Sequence, residues 1–92
     1  MIMGVLTLEL FFPYARSLKD KRRILHGFKD RLRHQNVALA EVDFQDLWQR
    51  SRLGIVTVNS HAAIVEDILG RVLAAARDLQ EAEIAGQEIR YV

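Results

Sequence analysis

Residues 2–12 alternate with a period of two: Ile2, Leu6, Leu8, Leu10 and Phe12 fall on one side of an extended chain, and Met3, Val5, Thr7, Glu9 and Phe11 on the other. That period belongs to a strand, which must bury one face and leave the other to solvent or to a partner. Pro13 lacks an amide donor and closes the strand. No basic region precedes the apolar stretch, and Thr7 and Glu9 interrupt it. Neither a signal peptide nor a membrane span is expected, and the reading is a cytoplasmic protein. The absence of cysteine leaves no disulfide framework and no thiolate metal site, and is compatible with a reducing compartment.

Beyond Pro13 the period lengthens to that of a helix. Ser17 is placed to cap it, Asp20 in its first turn suits the positive end of the helix dipole, and the pattern runs to about His34. Leu18, Leu25, Phe28 and Leu32 share one sector with Ile24 at its margin, while Lys19, Arg23, His26, Asp30 and Arg33 lie opposite. Residues 37–42 and 52–58 read as the second and third strands. The connection 43–50 is too long and too rich in aromatic and charged residues for a minimal hairpin turn, which leaves room for both strands to extend into it. Asn59 or Ser60 caps a second helix in which Ile64, Ile68 and Val72 repeat at helical spacing, joined by Val65, Leu69 and Leu73, to an end near Leu79. The tail from Ala82 to Val92 is a last strand, with a bulge or turn at Gly86.

The order β-α-β-β-α-β, with right-handed crossovers, leads to an α+β ferredoxin-like fold in which two helices cover one face of a four-stranded antiparallel sheet. Residues 1–92 are expected to form a single domain of that kind, with a modest core that self-association would help. The topology also places the start of helix one against the connection between strands two and three.

The formal net charge of +1 hides a strong asymmetry. From Arg16 to His34 there are eight basic residues against Asp20 and Asp30, a net +6 that leaves −5 over the rest of the chain. Such a division bears on partners more than the total does. Lys19, Arg22, Arg23, His26, Lys29 and Arg33 are the candidate nucleic-acid or anion-binding residues, a row of cations at one-turn spacing that could grip phosphates. A solvated helix face explains the same run without a ligand. Strand three, Gly54-Ile55-Val56-Thr57-Val58, has no aromatic platform, so RNA binding across the sheet by stacking is not expected.

A second group gathers at the start of helix one. Lys21 lies within the apolar sector and should reach toward the helix N-terminus, where Asp43 and Asp46 of the long connection are expected. A structural ion pair fixing the loop and an anion or ligand site both fit this group. His26, His34 and His61 show no metal-ligand spacing, and the chain contains no glycine-rich phosphate loop and no paired nucleophile and base. No catalytic residue, metal site or cofactor is therefore assigned. The second face of the sheet carries Met3, Val5 and Phe11, and a sheet open to water normally alternates more cleanly. Homodimerisation through that face is the leading expectation, with cover by the aromatic loop or by another protein as alternatives.

The blocks Ser17-Leu18-Lys19-Asp20-Lys21-Arg22-Arg23 and Ala40-Glu41-Val42-Asp43-Phe44-Gln45-Asp46-Leu47-Trp48-Gln49-Arg50 resemble the YlxP-like family of small bacterial proteins of unknown function, and the likeness spans nearly the whole chain. The resemblance implies a ferredoxin-like fold and a bacterial cytoplasmic protein, brings no established activity and no catalytic residues, and associates the family with translation and ribosome-maturation genes. It also marks Arg16, Lys21, Asp43, Asp46, Trp48 and Arg50 as a candidate family-motif patch. Two functions follow as expectations: a non-enzymatic binding protein that contacts RNA or a ribonucleoprotein, or a protein-interaction or small-ligand module built on the Trp48 loop and the start of helix one.

Overall fold

The computed structural model describes residues 1–92. Its elements are β1 (Ile2–Phe11), α1 (Leu18–Arg31), β2 (Ala38–Asp43), β3 (Arg50–Asn59), α2 (Ala62–Arg77) and β4 (Glu83–Tyr91). The sheet order is β2-β3-β1-β4, and every neighbouring pair is antiparallel. This is the ferredoxin-like α+β arrangement expected from the element order, with both helices on one side of the sheet. No helix is long and apolar enough to cross a membrane.

The alternation in β1 holds along its length. Leu6, Leu8 and Leu10 are buried under the helices with Leu53 and Ile55 of β3, while Val5, Thr7, Glu9 and Phe11 lie half-buried on the open face. Ile24, Phe28 and Leu32 close the core from α1, and Val65, Ile68, Leu69, Val72 and Leu73 from α2. Gly4 lies where α2 comes closest to the sheet. A Cβ there would stand 2.6 Å from Val65 Cγ1 and 2.9 Å from Leu69 Cδ1, so the absent side chain lets the helix dock.

The start of α1 is capped as its sequence indicates. Ser17 Oγ accepts from the Asp20 amide at 3.0 Å, and Asp20 Oδ2 accepts from the Arg16 amide at 3.0 Å. α2 departs from expectation at its own start. Its N-cap is His61, whose side chain makes no capping bond, and Asn59 Oδ1 instead accepts from the His61 amide at 3.1 Å. Ile64 is exposed there, and Val65 takes the first inward position of the helix. β3 extends into the long connection as far as Arg50, because it pairs with β1 from Arg50↔Phe11 through Asn59↔Ile2. In β4 the register shifts opposite Glu9 and Leu10, leaving Ala85 beside Gly86 as the extra residue of a bulge.

Candidate functional site

Two surfaces on opposite sides of the sheet carry the chemistry of this chain, and a buried lysine joins the segments between them. Lys19, Arg22, Arg23, His26, Lys29 and Arg33 are all exposed, in accord with their position opposite the apolar sector of α1. Arg23 pairs with Glu81 at 3.1 Å, and His26 Nε2 lies 3.6 Å from Asp30. Lys19, Arg22, Lys29 and Arg33 form no ion pair. Their charge is directed entirely to solvent.

Lys21 is on the opposite side of the same helix and only 1% exposed. Its Nζ donates to the carbonyl oxygens of Phe44 at 2.9 Å, Gln45 at 3.3 Å and Arg50 at 3.2 Å, and pairs with Glu41 Oε2 at 2.9 Å. Ser51 Oγ donates to the same carboxylate oxygen at 2.6 Å. The connection does meet the start of α1, but through Glu41 and backbone carbonyls rather than through Asp43 and Asp46. Pleating explains the difference. Glu41 points to the helix side of β2, and a register shift between Glu41 and Asp43 turns Val42 and Asp43 toward the open face. Gln49 Nε2 adds bonds to the carbonyls of Pro13 (3.2 Å) and Ala15 (3.3 Å), and the Phe12 amide donates to Gln49 O at 2.9 Å. The loop is thereby fixed at both ends.

The candidate family-motif residues are consequently divided among four environments. Arg16 is exposed before α1, and Lys21 is buried beneath it. Asp43 and Arg50 belong to the open face, where Arg52 Nη1 bonds Asp43 at 3.0 Å, Arg52 Nε bonds Glu9 at 3.0 Å and Arg50 Nη2 bonds Glu9 at 3.3 Å. The Arg52 and Arg50 guanidinium groups hold Glu9 below the usual carboxylate range against the opposing effect of desolvation, and Glu9 in turn raises Arg52. Phe44 has a left-handed backbone at φ 63°, and its ring lies 4.2 Å from the Arg50 guanidinium carbon and 4.9 Å from that of Arg52. The bond from Lys21 to the Phe44 carbonyl steadies this strained residue. Asp46 and Trp48 are exposed in the loop, and with Phe11, Leu47, Gln49 and Arg50 they line an open hollow of about 420 Å³.

Glu41, Ser51, Glu9, Arg52 and Phe44 were not among the sequence candidates. The alternation of β1 puts Glu9 on the open face, but only the register reveals Arg52 as its neighbour. No group of three or more His, Asp or Glu side chains comes together in a way that could hold a metal ion.

Fold and surfaces together define a small ferredoxin-like protein with a cationic helix on one side and an ion-paired sheet face on the other. The chain belongs to the family described as "Protein of unknown function (DUF503)", whose model matches residues 3–89. It is 36% identical over 83 residues to the "Uncharacterized protein YlxP" of Bacillus subtilis (strain 168), covering 89% of this chain and 90% of that protein. Among solved structures it is similar to the "De novo designed protein Foldit4", with a TM-score of 0.58 at 12% identity over 100% of this chain and 97% of that one. At that identity the likeness concerns the fold alone.

Proposed function

We propose that this protein acts by binding rather than by catalysis, and that the outward face of α1 contacts RNA or a ribonucleoprotein. The observation that carries the reading is the set Lys19, Arg22, Lys29 and Arg33, exposed and without carboxylate partners along a helix about 21 Å long. Cations left unpaired in this way gain most from replacing the counterions of a phosphate backbone. The test is recovery of RNA from bacterial lysate by the wild type and by a Lys19→Glu, Arg23→Glu, Arg33→Glu variant, with circular dichroism on both. Specific RNA retained by the wild type and lost by the folded variant is expected. Equal recovery, or none, removes the reading.

A second reading rests on the hollow around Trp48, which is 53% exposed on a loop fixed by Lys21 and Gln49. An exposed indole beside an arginine on a rigid support suits a protein segment or a small ligand. Trp48 is the single tryptophan, so its fluorescence reports directly on the site. An emission unchanged by a metabolite panel and by cell extract would count against this reading.

The same proposal includes a homodimer through the open sheet face. Val42 and Val58 are exposed there beside half-buried Met3, Val5 and Val56, an apolar surface that a small domain gains by covering. Sedimentation equilibrium over a concentration series should give twice the chain mass.

A further inference from the structure

The open face carries a pattern that is complementary to itself. Along the seam between β1 and β3, Met3 stands beside Val58 and Val5 beside Val56, forming two apolar rows. Thr7 comes next, beside Gly54, and then Glu9 beside Arg52. Three side chains of β1 thus have a complement one strand away: an apolar side chain for Met3 and for Val5, and a guanidinium for the Glu9 carboxylate, while Val42 leans over Gly54 opposite Thr7. A two-fold axis along this seam carries β1 of one copy over β3 of the other and leaves the rows in place. A two-fold axis across the strands would instead reverse the rows and lay Glu9 and Arg52 over Val5 and Val56 at the centre of the face, whereas the axis along the seam sets charge over methyls only at the edge, with Arg90 and Glu88 of β4 over Ala38 and Ala40 of β2.

We infer that two copies of this chain pack sheet face on sheet face about a two-fold axis along the β1–β3 seam, with Glu9 of each copy over Arg52 of the other and Met3 and Val5 over Val58 and Val56. The inference rests on the homodimer reading above and adds its geometry. Size permits it. Strands of ten, six, ten and nine residues about 4.8 Å apart give a footprint of about 550 Å² per copy, just above the threshold for a specific interface, and Leu47 and Trp48 at the rim extend it. Charge selects it. Glu9, Asp43, Arg50 and Arg52 balance one another at the centre of this face, and Glu83, Glu88 and Arg90 of β4 add a net charge of only −1 at its edge, whereas the unpaired cations of α1 would repel their own copy. The twist between packed sheets keeps rows facing each other best near the axis, where these complementary pairs lie. Such a dimer leaves the two α1 helices outward on opposite sides, each free for phosphate.

The chain has no cysteine, so a single introduced one can carry a spin label. Tyr14→Cys places it just beyond β1 at one end of the seam, and Ser60→Cys just beyond β3 at the other, both at exposed positions. Pulsed dipolar spectroscopy should give a short distance between like labels in each dimer, within about 25 Å, from a sheet separation of about 10 Å plus two label arms. Thr7→Arg, which sets a charge at the centre of the face, should raise the dimer dissociation constant at least about 100-fold without altering circular dichroism. A wild type that stays monomeric at all concentrations overturns the dimer itself. A dimer with both like-label distances near or above the strand length of about 33 Å overturns the axis while leaving the dimer standing. Undiminished dimerisation of a folded Thr7→Arg protein overturns the face.

Discussion

The outer face of α1 and the open face of the sheet are built from the same kinds of residue, yet they dispose of charge in opposite ways. On α1, Lys19, Arg22, Lys29 and Arg33 point into solvent with no acidic partner. On the sheet, Arg50 and Arg52 are held by Glu9 and Asp43 and stacked against Phe44. The first surface leaves its field uncompensated, while the second has its field neutralised internally and offers shape and apolar area. Charge content alone therefore does not distinguish the two surfaces, whereas the presence or absence of an ionic partner within the fold does.

The largest effect that would sharpen this contrast concerns two adjacent residues of α1. Lys21→Met leaves Glu41 and the three carbonyls without their cation and should cost about 3–5 kcal/mol in urea denaturation, whereas Arg22→Met should stay within about 0.5 kcal/mol. Equal small effects would mean that Lys21 is not the fastener of the loop. Next comes Gly4→Ala, where the new methyl meets Val65 and Leu69 of α2, with an expected loss of about 1–3 kcal/mol in the same assay. At Phe44 both Gly and Ala remove the ring, but only Gly relieves the left-handed backbone. The Ala variant should therefore be the less stable by about 1 kcal/mol, and the reverse order would show that the backbone there is unstrained.

The smallest expected effect is a pH dependence. Glu9 is held below the usual carboxylate range in the folded protein, so the unfolded chain binds its proton first as pH falls. Its contribution is fully present above about pH 5 and declines as pH passes below the ordinary glutamate value of about 4.3 toward the lowered folded one. Thermal melts of a Glu9→Gln variant should accordingly show a shallower loss of stability between about pH 5 and about pH 3 than the wild type.

Much of the fold was legible because its signals are local. The period of two in β1 sorted Leu6, Leu8 and Leu10 from Val5, Thr7 and Glu9, and Ser17 marked the start of α1. The topology alone brought the 43–50 connection to that helix. Its chemical details were not legible, because a register shift decides whether Glu41 or Asp43 faces Lys21, and a single sequence does not display that shift. The start of α2 was misplaced for a related reason: Asn59 completes the pairing of β3 and caps only indirectly, through the His61 amide. The electrical division was visible as a charge count, but which cations are free depends on the fold, which brings Arg23 to Glu81 and His26 to Asp30.

The most direct measurement is the salt dependence of RNA binding by the wild type and by a variant with Lys19, Arg22, Lys29 and Arg33 all changed to Gln. Contacts from these unpaired cations predict a wild-type affinity that falls steeply and log-linearly with salt. In the variant the slope should become shallower by about 0.7–0.9 for each phosphate that is no longer neutralised. A wild-type affinity indifferent to salt, or identical slopes for the two proteins, would contradict the assignment of α1 as the phosphate-facing surface.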